Sequence, residues 1–408
     1  MKSPILFFLL PYALWLPPAS AEEPLGSNLG GLLAYAHEHN PQLAATRHEA
    51  DAVRLRSEST ATLDDPVLRI EPMDVGNGIS ATKYTLMQRL PWFGKRGLQR
   101  EFATAQALQA DGQVAVSWSD LATRIKQTYA MHYYATLSER LAQQTLTLLD
   151  DLEQSAQARY ANGLGAQQDV IRVQVEKTML RAELIALQSE AHHTHARLNA
   201  LLSRPTNASL DEPAQLRSMP PAAKLDEQTL LESLRARNPQ LQIAEASIQS
   251  ATKSRDLAYN NRYPGFVLGV APTQAGSAIK SWDLMLELNI PLQQSSRRSQ
   301  EGEAEAMLSA SNARKEALLN QMQSDLSEAL AALEAARQTD TLITTRLLPQ
   351  AELTYRSALT GYETGKVEFG MLIEAQKQIL KARQQQLQAQ TDMQLRLADI
   401  EKLLGEEL

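Results

Sequence analysis

The chain has 408 residues and a formal net charge of −7. That length suits two or three ordinary domains or one elongated one, and the charge leaves no basic footprint for nucleic acid. The absence of cysteine removes disulfides, thiolate metal sites, a cysteine nucleophile and an acylated N-terminal cysteine.

The N-terminus reads as an export signal over residues 1–21. Lys2 precedes the apolar runs Ile5-Leu6-Phe7-Phe8-Leu9-Leu10 and Ala13-Leu14-Trp15-Leu16, and Ala19-Ser20-Ala21 is a small-x-small cleavage pattern. No later stretch approaches the ~20 apolar residues of a transmembrane helix. An exported chain of this kind spans a membrane as a β-barrel or not at all.

Residues 28–60 repeat apolar positions at helical spacing around Asn40-Pro41, which reads as an N-cap followed by proline at the first helical position. Two strands follow, at about 66–72 and 82–90, separated by the turn residues Val75-Gly76-Asn77-Gly78. In the second strand Tyr84, Leu86 and Leu90 share one face, and Lys83, Thr85 and Arg89 the other. Residues 97–160 predict a single helix, since no proline occurs between Pro91 and Pro205 and no glycine between Gly112 and Gly163. Some sixty residues at ~1.5 Å each give about 90 Å, far beyond a globular helix. A turn at Asn162-Gly163-Leu164-Gly165 reverses the chain into a helix over about 167–202, and 203–226 reads as a proline-containing irregular linker.

The pattern then recurs. Asn238-Pro239-Gln240-Leu241 echoes Asn40-Pro41-Gln42-Leu43, strands are predicted at about 263–271 and 282–290 with a loop from Pro272 to Ala278, and a second long helix at 299–360. A turn at Thr364-Gly365-Lys366-Val367 and a last helix to about residue 404 complete it. The chain is thus a duplicated helix–strand–strand–long helix–turn–helix unit, residues 22–220 and 221–408. Four strands with one apolar face fit a tilted outer-membrane strand but cannot close a barrel. Two chains would supply eight strands, three would supply twelve. The long helices need a coiled-coil-like cylinder to bury their apolar stripes.

The duplicated pattern, Leu90-Pro91-Trp92-Phe93-Gly94-Lys95-Arg96, the paired Tyr-x-x-Gly turns and Phe369-Gly370-Met371-Leu372-Ile373-Glu374-Ala375 are similar to the TolC-type outer membrane efflux family. The Pro-Trp-Phe-Gly-Lys-Arg stretch most resembles its heavy-metal branch, linked to RND-type pumps. The resemblance implies a mainly α fold with a small β part: a trimeric channel-tunnel with a twelve-strand barrel and a long α-helical barrel. It implies a passive duct of a tripartite efflux system, without enzymatic activity or cofactor, in the outer membrane of a Gram-negative cell, its helical barrel projecting into the periplasm. Its implied partners are two further copies of itself, a periplasmic adaptor (membrane fusion protein), an inner-membrane RND-type pump and outer-membrane lipid. The exported species would be heavy-metal cations, with drugs or secreted proteins as the alternative cargo. A periplasmic coiled-coil adaptor is a further alternative, but it should carry one hairpin with β-domains rather than two copies of this unit.

By the same resemblance, Asn162, Gly163, Leu164 and Gly165 with Thr364, Gly365, Lys366 and Val367 match the adaptor-docking tip. Asp169 and Glu374 match acidic gate positions, while Tyr160 and Tyr362 are candidate latch aromatics. The family's usual Val-Gly-Leu is here Asn-Gly-Leu and Thr-Gly-Lys, and its second acidic position is Met371. His192 and His195, three apart on one helical face, are weak metal candidates. No HExxH, Gly-rich phosphate loop or Gly-x-Ser-x-Gly is present to support catalysis.

Overall fold

The computed structural model describes residues 25–60, 62–74 and 80–408. The expected export signal (1–21) and the expected turn Val75-Gly76-Asn77-Gly78 lie outside the described residues. The first unit comprises α1 (Leu29–His39), α2 (Pro41–Thr60), β1 (Val67–Asp74), β2 (Ser80–Leu90), α3 (Lys95–Ala161) and α4 (Gln167–Leu201). The second comprises α5 (Glu227–Arg237), α6 (Pro239–Asn260), β3 (Gly265–Ala275), β4 (Ala278–Asn289), α7 (Gln294–Leu342), α8 (Leu348–Glu363) and α9 (Phe369–Leu404). No helix among the described residues is long and apolar enough to cross a membrane.

Asn40 and Asn238 do the same work in the two units. The Asn40 side-chain oxygen accepts from Gln42 N and Leu43 N, and its amide donates to the Leu201 carbonyl at 3.0 Å. Asn238 accepts from Leu241 N and donates to the Leu403 carbonyl at 2.8 Å. Each asparagine therefore caps one helix start and satisfies an orphan carbonyl at the end of its unit's hairpin. The apolar faces pack in parallel fashion. Leu29 and Leu32 of α1 meet Ile125 and Tyr129 of α3 and Leu198 of α4. Leu230 and Leu234 of α5 meet Leu326 of α7 and Ile400 and Leu404 of α9. An ion network centred on the buried Lys126–Glu401 pair joins the units: Lys126 of α3 contacts Glu401 of α9 at 2.9 Å and the exposed Glu407 at 2.7 Å, and Arg217 of the linker holds Glu401 at 2.9 Å. Lys126 and Glu401 are buried together, so removing either would leave an uncompensated buried charge.

The four strands among the described residues form one antiparallel sheet in the order β1-β2-β3-β4. Register puts Leu68, Leu86, Val270 and Leu284 in one row, with Leu90, Phe266 and Leu288 in another on the same face. The apolar residues so aligned include Ile70, Trp282 and Leu286, all exposed, with Leu284 at 90%. The opposite face carries Lys83, Thr85, Arg89, Asp283 and Glu287, and Lys83 pairs with Asp283 at 2.9 Å. The outer edges of β1 and β4 are unpaired. The expected alternation in the second strand is thus observed. The expected loop from Pro272 to Ala278 is not: β3 continues to Ala275, bulges between Thr273 and Gln274, and returns through Gly276 at φ 64°. A hairpin loop this short needs a left-handed position, which glycine fills without strain.

The second long helix also departs from expectation. The helical rod is continuous from Gln294 to Glu363 in outline, but Ile343–Leu347 is a π-turn. Pro349 is the cause. It has no N–H to donate, and its ring crowds the carbonyl four residues back, so the ladder widens and Leu348 N bonds to Ile343 O instead. The 67-residue α3 has no proline and no such turn.

The ends of the two hairpins differ by one residue type at an equivalent position. Gly405 follows α9 at φ 74°, and Ser203 follows α4 at φ 58°, the only non-glycine with positive φ among the described residues. Ser203 N donates to Ala200 O at 3.0 Å and Arg204 N to Asn199 O at 2.8 Å, the bond pattern of a left-handed helix stop. A side chain in that conformation costs about 1 kcal/mol. Ser203→Gly is therefore expected to stabilise the chain by up to about 1 kcal/mol, seen as a higher thermal midpoint in detergent; an unchanged or lower midpoint would show that the strain is relieved elsewhere.

Candidate functional site at the hairpin tips

Both turns are built on the same hydrogen bonds. In the first, Gly163 N donates to Tyr160 O at 3.0 Å and Leu164 N to Arg159 O at 2.8 Å. In the second, Gly365 N donates to Tyr362 O at 3.0 Å and Lys366 N to Gly361 O at 2.8 Å. The glycines sit at φ 72° and 73°. The side chains differ yet repeat one bond: Asn162 Nδ2 donates to Ala158 O at 2.8 Å, and Thr364 Oγ1 to Thr360 O at 2.9 Å. The expected Tyr-x-x-Gly pattern is the signature of this stop, since the tyrosine supplies the carbonyl and the glycine the left-handed residue.

A second pairing was not read from the sequence. Across the first turn Arg159 faces Gly165, and a Cβ on Gly165 would lie 3.2 Å from the Arg159 Cβ. Across the second, the equivalent positions are Gly361 and Val367, and a Cβ on Gly361 would lie 2.4 Å from Val367 Cγ2. One member of each facing pair is glycine, but the large and small partners are exchanged. The signal was available by laying one copy against the other.

The two tyrosines differ as well. Tyr160 is 49% exposed, whereas Tyr362 is 7% exposed and packs against Phe369 with ring centroids 5.0 Å apart. The Arg159 guanidinium lies 4.7 Å above the Tyr362 ring, a contact strengthened by partial burial. Burial pushes the Tyr362 phenol above its usual range; Arg159 opposes the shift and Asp169 adds to it. The Tyr362 hydroxyl is buried without a partner. Around this contact lies the core of the tip: Leu149, Leu152 and Ala156 of α3, Val173 of α4, and Leu372 and Ile373 of α9.

Tyr362, Arg159, Phe369 and Asp169 are thus brought together, but Tyr160 is not. Leu164, Asn162, Gly163, Thr364, Gly365 and Lys366 are exposed, and Gly165 and Val367 half-buried. Glu374 is exposed one and a half turns into α9 and lines a groove of about 520 Å³ between α3, α4 and α9. Beside it, α4 and α9 are bridged by Lys377 to Glu176 at 3.1 Å and Gln384 to Glu183 at 2.6 Å. Arg172 lies over Gly370, where any Cβ would meet its guanidinium.

The histidines sit far along α4 from the tip. His192 is exposed and His195 half-buried, while Thr194 between them is buried with its Oγ1 3.0 Å from Nδ1 of His132 on α3. The His132 and His195 rings are 6.1 Å apart. Among the described residues no group of three or more His, Cys, Asp or Glu is arranged to hold a metal ion. His132 was not singled out in sequence because its partners come from another helix. Burial, aided by the charge of His195, lowers its pKa to about 4.

Residues 230–406 match the family model described as Outer membrane efflux protein. No curated protein matches the chain. Several solved structures share its fold at low identity. The structure described as the outer-membrane channel OprN is 20% identical, covering 92% of this chain and 89% of that one, with a TM-score of 0.80. The outer membrane protein VceC from Vibrio cholerae is 17% identical over 93% of this chain and 96% of that one, with a TM-score of 0.79. CusC, whose structures concern folding and transmembrane channel formation, is 17% identical over 100% of this chain and 98% of that one, with a TM-score of 0.80. The fold is that of the TolC-like channel-tunnel proteins, mainly helical with a small sheet and a duplicated unit.

Two outcomes follow from this geometry. Gly361→Ala should destabilise the second tip by about 1–3 kcal/mol through overpacking, and Val367→Gly in the same chain should restore it; hydrogen exchange across residues 355–372 reads both, and protection unaltered by Gly361→Ala would refute the packing. His132 has a folded pKa below its ordinary 6.5. Its stabilisation is therefore complete above pH 6.5 and is lost as pH falls towards 4, by about 3 kcal/mol in all. Chemical denaturation at stepped pH should show that fall, flattened in His132→Gln.

Proposed function

We propose that the chain is the outer-membrane duct of a tripartite efflux system and closes its barrel as a homotrimer. The observation that carries this reading is the sheet: an exposed apolar face on four strands with both edges unpaired, continuous with helices of about 100 Å. In hydrocarbon every backbone polar group must be paired, so the β4 edge of one copy would meet the β1 edge of the next until the ring closes. Three copies make twelve strands, within the range of outer-membrane barrels.

The helical region offers a matching seam. Ile171, Val175, Met179 and Ile185 form an exposed stripe on α4, and Leu342, Leu347 and Leu353 another along the α7–α8 rod. Measured along the helix from the turn glycines, Val175 and Leu353 are both at about 18 Å, and Ile185 and Leu342 at about 33–35 Å. Within the chain, α3 packs on α4 and α9, and α9 on α8, so the stripes belong to the two helices at the ends of that series. Apolar stripes at equal height on the first and second units suit a head-to-tail ring.

In this reading the tips lie in the periplasm and receive the helical hairpins of an adaptor bound to an RND-type pump. Asn162, Gly163, Leu164 and Gly165 with Thr364, Gly365, Lys366 and Val367 form the docking segment. Tyr362 with Arg159 is the latch that opening must part, and Asp169 and Glu374 attract cations at the constriction. Heavy-metal cations are the favoured cargo, on the strength of the Pro91-Trp92-Phe93-Gly94-Lys95-Arg96 stretch and these carboxylates. The duct does no chemistry of its own.

The deciding experiment combines localisation and phenotype. Cross-linked trimers in the outer-membrane fraction and a deletion strain sensitive to copper, silver, zinc or cobalt are expected. A soluble periplasmic monomer would refute the duct, and sensitivity to drugs alone would reassign its cargo. Gly365→Pro removes the N–H bonded to Tyr362 and forbids the positive φ; it should abolish export while trimers persist. In single-channel recordings Glu374→Ala should change cation block, and an unchanged channel would remove Glu374 from the gate.

A further inference from the structure

A cavity lies where the sheet hands over to the long helices, and its lining is electropositive. It occupies about 660 Å³ and is lined by Arg89 at the end of β2, Lys95 at the start of α3, Arg297 in the first turn of α7, and Glu287 of β4. Three cations against one carboxylate leave two positive charges. Among the described residues no carboxylate forms a salt bridge with Arg89, Lys95 or Arg297; Glu301, the nearest acid to Arg297 along α7, is held by Arg262. Lys95 Nζ donates to Asn261 Oδ1 at 2.8 Å, and the Arg297 guanidinium donates to the Asn261 carbonyl. These bonds aim both side chains at one wall without neutralising either, and the Arg297 Nε is buried with no partner.

The backbone adds to the same field. α3 and α7 both begin at this cavity, neither start has a side-chain cap, and neither first turn contains an acid. Long helices present partial positive charge at their N-termini. One wall is aromatic: Trp92 stacks on Tyr263 with centroids 5.0 Å apart and on Phe266 at 5.5 Å.

We infer that this cavity is a binding site for a phosphate ester. Arginine forks fit tetrahedral oxyanions through paired hydrogen bonds, and lysine adds a point charge. The volume exceeds a bare anion and suits an esterified one, while the aromatic wall suits the apolar part of an amphiphile. The phosphate can come from a lipid headgroup, since the cavity sits at the end of the apolar strand face, or from a soluble phosphate ester. The lipid source rests on the outer-membrane reading; the phosphate site does not.

Native mass spectrometry of the full chain in detergent tests the inference, with phosphatidylglycerol, phosphatidylcholine and inorganic phosphate as probes. Phosphatidylglycerol adducts should exceed phosphatidylcholine adducts and fall about tenfold in Arg89→Gln/Arg297→Gln, the loss of two charge-assisted contacts. Lys95→Gln alone should give a smaller loss. Retention of inorganic phosphate with the same dependence on Arg89 and Arg297, and no preference for the anionic lipid, would sustain the site and assign it to soluble esters. Circular dichroism and elution volume check that the variants fold. Adducts equal in the folded variant and the native chain, for every probe, would overturn the site. That result would leave trimer formation and export untouched as separate readouts of the duct.

Discussion

A sheet edge in hydrocarbon has nowhere to send its hydrogen bonds. In the proposed outer-membrane duct that constraint governs the molecule. One chain supplies an antiparallel sheet whose apolar face is exposed from Leu68 across to Leu284 and whose outer edges on β1 and β4 have no partner. Water could solvate the edges but not the face, and lipid could solvate the face but not the edges. Closure with further copies, as proposed, would satisfy both, and the polar face with its Lys83–Asp283 pair would then become an interior.

The helices answer a second problem, how rods of about 100 Å hold their alignment. Local propensity extends them but does not orient them. Orientation comes from a few polar anchors at one level. Asn40 and Asn238 each tie a helix start to a hairpin end, and the Lys126–Glu401–Arg217 network joins the two units across α3, α9 and the linker. Towards the tips the contacts are mainly apolar, from Ala142 and Ala156 to Leu149, Leu152 and Leu372, with ion pairs such as Lys177–Glu153 and Lys377–Glu176 beside them.

Much of this was legible in the sequence because it is local or repeated. The duplication, the Asn-Pro caps, the alternation of β2 and β4 and the glycine turns each depend on a short run of residues. The expected loop at 272–278 failed because a two-residue hairpin leaves little trace beyond one glycine, Gly276. The π-turn before Pro349 was present as a single proline inside a strong helical pattern, and the pattern masked it. The exchange of Arg159/Gly165 for Gly361/Val367, the burial of Tyr362 and the contact of His132 with Thr194 depend on packing between helices. The cavity at Arg89, Lys95 and Arg297 joins residues more than two hundred positions apart and could not be read from spacing. The roles proposed for Asp169 and Glu374 came from resemblance; what the geometry adds is that Asp169 stands near Tyr362 and Glu374 beside a groove.

The exchange of large and small residues at the two turns has a consequence for rotational symmetry. Were the turns identical, three copies would present six equal tips and the closed end would approach sixfold symmetry. Instead, the chain has an exposed-tyrosine tip bearing Leu164 and a buried-tyrosine tip bearing Lys366. In the proposed trimer the two would alternate, and the end of the tube would be threefold, with two kinds of surface taken in turn. A partner ring of six like subunits would have to bind in two distinct ways around it, whereas a partner of three, or of three pairs, could match it in one.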